Sequence, residues 1–136
     1  MHRRAFISDL GLSVAAVCSA CLAACSKSGT VEPPSNVNFT IDLTTDLLTV
    51  GSSKVQSGVI VVRLSAANDA ASFTAVQVAC THEGTPLNYN AAQTKFICPL
   101  HGSEFNTGGA VLLGPAGSNL KKFTVTVNNN TLTVTG

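Results

Sequence analysis

Two short segments of this chain each combine a cysteine with a histidine, and both residue types can bind metal. The first segment, "CTHEGT", contains Cys80 and His82, and the second, "CPLHGSEF", contains Cys98 and His101. The whole chain has only 5 cysteines and 3 histidines in 136 residues. Such sparing use of these residues, with two of each in neighbouring segments, indicates that the four side chains share one site.

Three chemistries can use this set of residues. The simplest is a disulfide between Cys80 and Cys98, which suits an exported protein but gives neither histidine a role. A structural zinc ion accepts two thiolates and two imidazoles, although zinc sites usually pair Cys with Cys and His with His along the chain. The third is a 2Fe-2S cluster with two thiolates on one iron and two imidazoles on the other. Two loops that each supply one Cys and one His suit this third arrangement.

The two segments closely resemble the ligand motifs of Rieske iron–sulfur proteins, which read C-x-H, about fifteen residues, and C-x-x-H. The resemblance covers about residues 76 to 120, with weaker similarity in the flanking strands. It implies a Rieske-type 2Fe-2S cluster in a small cluster-binding subdomain on antiparallel β-sheets. It further implies that Cys80 and Cys98 bind one iron, while His82 and His101 bind the other at an exposed tip.

The same resemblance assigns supporting roles around the cluster. Gly84 and Gly102 would permit tight loop turns that bring backbone amides near the cluster sulfides. Ser103 occupies the position at which the family often has a hydroxyl bonded to a bridging sulfide, although a simple turn cap explains it too. The sequence "GPAG", which contains Pro115, resembles the loop that shields the cluster, and an ordinary turn remains the alternative.

The chain also departs from the cytochrome bc branch of the family. Thr85 and Leu100 stand where that branch has two cysteines that join the loops by a disulfide. Other packing must then hold the loops together, and Pro86, Leu87 and Pro99, with Leu100, are the candidates.

Phe105 occupies the position of a tyrosine that, in the same branch, bonds to a ligand-cysteine sulfur. A hydrogen bond to sulfur stabilises the reduced, more negative cluster. Its loss predicts a reduction potential below that of the quinol-oxidising homologues.

The first 24 residues have the pattern of a targeting segment. Arg3 and Arg4 precede an almost uncharged apolar stretch that is short for a transmembrane helix, which predicts a signal peptide over residues 1–24. The sequence "LAAC", which ends at Cys25, resembles the cleavage box of bacterial lipoproteins, with Cys25 as the lipid acceptor. The two arginines resemble a twin-arginine export signal. An ordinary basic leader and an incidental cysteine are the alternatives.

Composition then divides the exported part into two regions. Residues 25–36 are polar and proline-containing, which predicts a lipidated tether. Residues 37–136 are expected to form the Rieske 2Fe-2S domain. Apolar alternation or β-branched runs predict strands within residues 37–43, 58–64, 72–80, 121–127 and 131–136, with a hairpin turn at the three asparagines that follow residue 127. Since no window has a helical period, the predicted fold is all-β, an antiparallel β-sandwich.

These features favour one-electron transfer over other functions. Loss of Arg3, Arg4 and Asp9 with the leader makes the mature chain formally neutral, which argues against nucleic-acid binding. An oxygenase needs a second iron bound by further histidines, and none remains in the mature chain. We therefore expect a membrane-anchored lipoprotein on the periplasmic or outer side of a bacterial membrane, serving a redox partner protein or a quinone-linked enzyme. The alternative is a zinc- or disulfide-stabilised lipoprotein that acts as a binding module.

Overall fold

Residues 31–136, which the computed structural model describes, form ten β-strands and one turn of 3-10 helix, Ala70–Ser72. The predicted signal peptide, Cys25 and the first part of the tether lie outside the described residues. The all-β prediction is confirmed, and the strands pair in three antiparallel sheets. Within residues 31–136 no helix has the length and apolarity needed to cross a membrane. The strands are β1 Asn38–Asp42, β2 Ser53–Gln56, β3 Val59–Arg63, β4 Phe73–Gln77, β5 Asn88–Asn90, β6 Lys95–Ile97, β7 Glu104–Asn106, β8 Val111–Leu113, β9 Thr124–Asn128 and β10 Thr131–Thr135.

The first sheet joins the two ends of the domain in the order β1-β10-β9. In β1 the side chains of Phe39 and Ile41 are buried while their neighbours are exposed, so the period of two read from the sequence is confirmed. Strands β9 and β10 form the predicted hairpin, and Asn129 at its turn has a φ of 54°. Asparagine accepts this left-handed conformation more readily than most residues.

The second sheet, β2-β3-β4, lies between two hydrophobic cores. All five residues of β3 are buried, because Val59 and Val61 pack in one core and Ile60 and Val62 pack in the other. This arrangement explains why the sequence shows a continuous apolar run instead of alternation. Strand β2 is not among the predicted strands, since three of the four residues in its sequence SKVQ are polar and give no apolar alternation.

The third sheet, β5-β6-β7-β8, carries the site. Each of its strands has three residues, too few for a periodic signal, and for that reason the sequence analysis missed all four. Phe96 of β6 and Phe105 of β7 are paired across the sheet, and both side chains are fully buried. The connection between β6 and β7 is the second Cys-His segment, and the first such segment lies between β4 and β5.

Hydrogen bonds attach the end of β4 to two other segments of the domain, just before the chain reaches the first Cys-His segment. The Gln77 backbone N–H donates to the carbonyl of Lys121 at 2.9 Å, and the Val78 N–H donates to that of Gly58 at 3.0 Å. The buried Gln77 side chain adds two bonds, donating to the Ala79 carbonyl and accepting from the Lys121 N–H, both at 2.8 Å. These bonds fix where the first segment starts.

Replacing Gln77 with methionine tests this attachment. Methionine preserves the approximate volume but leaves the Ala79 carbonyl and the Lys121 N–H without their partner, and each unsatisfied buried group costs about 1–3 kcal/mol. We expect the free energy of unfolding, measured with denaturant, to fall by at least about 2 kcal/mol. The matched control is Gln93→Met, because the Gln93 side chain is exposed. An equal, small effect of both substitutions would contradict the role given to Gln77.

Candidate metal centre

The first Cys-His segment is a tight loop closed on its own cysteine. The carbonyl of Cys80 accepts a hydrogen bond from the N–H of Gly84 at 2.8 Å, and the Cys80 N–H donates to the carbonyl of Thr85 at 2.9 Å. Gly84 has a φ of +78°, a left-handed conformation that is costly for residues with a Cβ. The glycine therefore allows the chain to turn back within five residues.

The second segment repeats this geometry. The carbonyl of Cys98 accepts from the N–H of Gly102 at 3.0 Å, the Cys98 N–H donates to the carbonyl of Ser103 at 2.8 Å, and Gly102 has a φ of +75°. In both loops the bonds join the cysteine to the residues four and five positions later. The two loops are therefore structurally equivalent around their cysteines, although the sequence places the histidines at different offsets.

The structure brings all four predicted ligands to the same end of the third sheet. The two sulfur ligands lie together, and so do the two nitrogen ligands. The Cys80 and Cys98 side chains are buried, 0% and 2% exposed, and lie close enough for each to shift the pKa of the other. The rings of His82 and His101 lie at the surface with their centroids 5.0 Å apart and their planes at 77°. Two sulfurs therefore lie together in the core and two imidazoles lie together at the surface.

The two thiols respond differently to this burial. Burial raises the pKa of the Cys80 thiol, and the adjacent Cys98 acts in the same direction. Burial also acts to raise the pKa of the Cys98 thiol, but backbone N–H groups of His101 and Leu100 and the side chains of Cys80 and Thr85 outweigh it, so that pKa is lowered. Two adjacent buried thiols of this kind disfavour a pair of thiolates unless a cation is bound to them.

The donor set fits a cofactor with separate positions for sulfur and nitrogen. A single zinc ion holds all its ligands at about 2.0–2.3 Å, which brings the donor atoms within about 4 Å of each other. Among residues 31–136, donor atoms within 4.8 Å of one another form a group that contains His82, Glu83 and His101 and neither cysteine. The separation of the sulfurs from the nitrogens fits a dinuclear cluster better than one zinc. The two cysteines are free in the structure, so the disulfide alternative is not formed.

Glu83 is a member of the site that the sequence analysis missed. Its carboxylate lies 3.1 Å from Nε2 of His101, and both side chains are about half exposed. This contact leaves Nδ1 of His101 as the nitrogen available to a metal. The only sequence signal was the position of Glu83 directly after a predicted ligand.

Hydroxyl groups contact the neighbouring segments where the sequence suggested apolar packing of the loops. The Thr81 hydroxyl donates to the Ser118 carbonyl at 2.7 Å, which attaches the first loop to the turn after β8. The Thr85 side chain lies close enough to Cys98 of the opposite loop to lower its pKa. Of the four residues expected to hold the loops, Leu87 is buried in the core. The others are exposed, namely Pro86, Pro99 and Leu100.

Ser103 connects the second loop to the "GPAG" turn. Its hydroxyl is fully buried, accepts a hydrogen bond from the N–H of Ala116 at 3.0 Å and contacts the Cys80 thiol. Pro115 itself is exposed, whereas Ala116 is buried in the same core as the two cysteines. The residue of this turn that shares the core of the two sulfurs is therefore Ala116, where the resemblance pointed to Pro115.

Comparisons with known sequences agree with this geometry. The family model described as "Rieske [2Fe-2S] domain" matches residues 40–124. A cytochrome b6-f complex iron-sulfur subunit of Nicotiana tabacum is 51% identical over 41 residues, which are 30% of this chain and 18% of that protein. The subunit of the same description from Prochlorococcus marinus is 36% identical over 67 residues, 49% of this chain and 38% of that protein. The chain thus spans well under half the length of these relatives.

Solved structures give the same result for the fold. The plasma membrane Rieske protein of Synechocystis is 37% identical, with a TM-score of 0.51 over 57% of this chain and 76% of that one. The ferredoxin of carbazole 1,9a-dioxygenase from Nocardioides aromaticivorans is 21% identical and has a TM-score of 0.57 over 74% of this chain and 97% of that one. At that identity the second likeness concerns the fold alone.

The loop geometry, the paired sulfurs and imidazoles and the sequence comparisons lead to one conclusion. The family match covers more than half of the chain and includes both Cys-His loops. The cofactor of this family is a 2Fe-2S cluster of the Rieske type. The chain belongs to the Rieske 2Fe-2S domain family.

Proposed function

We propose that this protein transfers single electrons through a Rieske 2Fe-2S cluster. The observation that carries the proposal is the pair of equivalent loops, which place two buried sulfurs beneath two surface imidazoles. Cys80 and Cys98 would hold one iron, and His82 and His101 would hold the other. When bound, a cluster of this type accepts and releases one electron at a time.

The residues around the site suit this chemistry. The apolar core that contains both cysteines keeps water from the sulfurs. Backbone N–H groups of His82, Leu100 and His101 point at the sulfurs and stabilise their negative charge. The imidazoles lie at the surface, where a partner can approach closely and where ring nitrogens can exchange protons with water.

The supporting residues have proposed roles that follow from their contacts. Gly84 and Gly102 allow the two loops to close, because both have positive φ values. The Ser103 hydroxyl, next to Cys80, would donate to a sulfur of the site while it accepts from the Ala116 N–H. Pro115 lies in the turn that Ala116 anchors, and this turn would cover the third side of the cluster.

We further propose that the protein is exported and held at a membrane by lipid. Residues 1–24 would be a lipoprotein signal peptide of the twin-arginine type, Cys25 the lipidated residue, residues 25–36 the tether and residues 37–136 the cluster domain. The lipoprotein box and the twin arginines support this division. The Synechocystis relative is a plasma membrane protein by description, which supports a membrane location. The periplasmic or outer side follows only from the proposed export signal.

The partner is proposed to be a redox protein or a quinone-linked enzyme. The relatives are described as subunits of the cytochrome b6-f complex, and one structural neighbour is the ferredoxin of a dioxygenase. Each of these proteins belongs to a larger electron-transfer system. A chain of this kind would act as a carrier or a small subunit in such a system. The neutral formal charge of the mature chain gives no support for nucleic-acid binding.

The cluster itself is the first thing to test. We expect the anaerobically purified protein to contain two irons and two sulfides and to give a rhombic low-temperature EPR signal after reduction with dithionite. His82→Ala should abolish this signal, because it removes one of the two nitrogen ligands. Glu83→Gln is the matched control and should retain the signal, since Glu83 contacts His101 without being a proposed ligand. A colourless protein that binds one zinc ion would contradict the proposal.

The phenylalanine at position 105 leads to a prediction about the reduction potential of the cluster. Phe105 is fully buried in the core that contains both cysteines. Phe105→Tyr would place a hydroxyl there, and a hydrogen bond of about 1 kcal/mol to a cluster sulfur raises a one-electron potential by about 40 mV. Protein-film voltammetry would measure the shift. Phe39→Tyr, in the other core, is the control and should leave the potential unchanged. A decrease or no change for Phe105→Tyr would refute the explanation.

Lipidation is tested by Cys25→Ser. Serine has no thiol to accept the lipid, so we expect the variant to lose the mass of the diacylglyceryl group and to leave the membrane fraction. Fractionation and intact mass spectrometry of the processed protein would measure both effects. Cys18→Ser is the matched control, because Cys18 precedes the proposed cleavage site. Retention of the Cys25→Ser protein in washed membranes would show that lipid on Cys25 does not anchor it.

A further inference from the structure

Residues 31–36, which precede the first strand, lie against the domain and extend to the first metal-binding loop. A Cβ placed on Gly84 would be 3.7 Å from Cγ2 of Val31, which is an ordinary van der Waals contact. Gly84 lies two residues after the proposed ligand His82 in the same loop. The described part of the chain therefore begins beside the metal centre.

Two further contacts hold this segment to the domain. A Cβ placed on Gly58 would lie only 3.2 Å from Cγ of Pro34, so the proline ring sits directly on the glycine. The Lys121 ammonium donates to the Pro34 carbonyl at 3.3 Å. Gly58 and Lys121 are also the backbone partners of the end of β4, which leads into the first loop. The contacts thus place the segment on the part of the domain that supports the metal centre.

The first sheet shows at which end of the domain residues 31–36 lie. Val37 exchanges two backbone hydrogen bonds with Gly136, at 2.7 and 3.0 Å, and β1 then runs away from this point to Asp42. The turn at Asn129 lies at that opposite end, about 16 Å along a five-residue strand. Residues 31–36 therefore approach the domain from the end that bears the metal centre.

We propose that these residues fix the orientation of the domain on the membrane, with the His82 and His101 tip facing the bilayer. The inference rests on the proposed lipid at Cys25. Cys25 precedes Val31 by six residues, and six extended residues span at most about 20 Å. Because Val31 lies beside Gly84 of the first loop, the lipid cannot be much farther than this from the tip. The turn at Asn129 lies at the end of the domain remote from the anchor.

The composition of the tip is compatible with a lipid surface. Within residues 80–85 and 98–103, Glu83 is the only Asp, Glu, Lys or Arg, and its carboxylate is next to His101. Leu100 at the tip of the second loop is 57% exposed. A domain held in this orientation would exchange electrons with a partner located in the membrane or at its surface, in preference to one that diffuses freely on the far side.

Photo-crosslinking to lipid headgroups would test the orientation. The full-length protein, processed and lipidated in a bacterial host, would be placed in vesicles of phosphatidylethanolamine and phosphatidylglycerol that contain a small fraction of diazirine-headgroup lipid. Mass spectrometry would count cross-links in residues 98–103 and in residues 128–131. We expect at least a fivefold excess of cross-links in the first region. Equal labelling, or an excess in residues 128–131, would overturn the proposal.

Two insertions provide the matched comparison. Ten Gly-Ser residues between Gly29 and Thr30 lengthen the link to the lipid. The ratio of cross-links in residues 98–103 to cross-links in residues 128–131 should then fall toward one. The same ten residues added after Gly136 leave that link unchanged, and the excess should remain. Val31→Asp places a charge at the contact with Gly84 and should reduce the excess without any change of length. If none of these variants alters the labelling, residues 31–36 do not orient the domain.

The same samples separate this inference from the proposed function. Mass spectrometry reports whether Cys25 carries lipid, and absence of that lipid overturns the orientation because its anchor is missing. EPR of the same vesicles reports the cluster. Biased labelling without a cluster signal would refute electron transfer and leave the orientation standing. A cluster signal with unbiased labelling would refute the orientation and leave electron transfer standing.

Discussion

The burial of two adjacent thiols in an apolar core is the constraint on which the rest of this structure depends. Two thiolates side by side without water are unstable unless positive charge and hydrogen-bond donors face them. Both loops answer this requirement in the same way, by turning at a glycine so that backbone N–H groups point at the sulfur. Backbone N–H groups act to lower the pKa of both thiols, and burial acts to raise both. A bound metal cation would stabilise the two thiolates further.

Short loops hold such a geometry only when their ends are fixed. Three residues per strand provide few ladder hydrogen bonds in the third sheet, so the β2-β3-β4 sheet, whose strands have four or five residues, supports it. The alternating sides of β3 contribute to both cores at once, and Gln77 joins the end of β4 to the backbone at Lys121. The base of the domain thus acts as a rigid support for two loops that have almost no regular structure of their own.

Hydroxyl groups hold the loops in place of the interloop disulfide that the bc branch has. Thr85, which stands at one of the two cysteine positions of the bc branch, lies close enough to Cys98 of the opposite loop to lower its pKa, and Thr81 and Ser103 form hydrogen bonds to the turn that follows β8. Each of these two hydrogen bonds contributes about 1 kcal/mol, so together they approach the lower end of the stabilisation expected from one disulfide. Leu100 is exposed at the tip, where a partner or a lipid surface can contact it.

Ligand spacing and the two-residue period of half-buried strands are local properties, and for that reason the family and the clearly periodic strands could be predicted from the amino-acid sequence. The four predicted ligands, which the structure brings together, and the hairpin at Asn129 were predicted in the same way. Other features depend on distant residues and become visible only in the folded structure. Among these are the four short strands, the contact of Glu83 with His101, the burial of Ala116 in place of Pro115, and the course of residues 31–36 along the domain. Each of these features arises from packing between segments far apart in the chain, for which no local pattern exists.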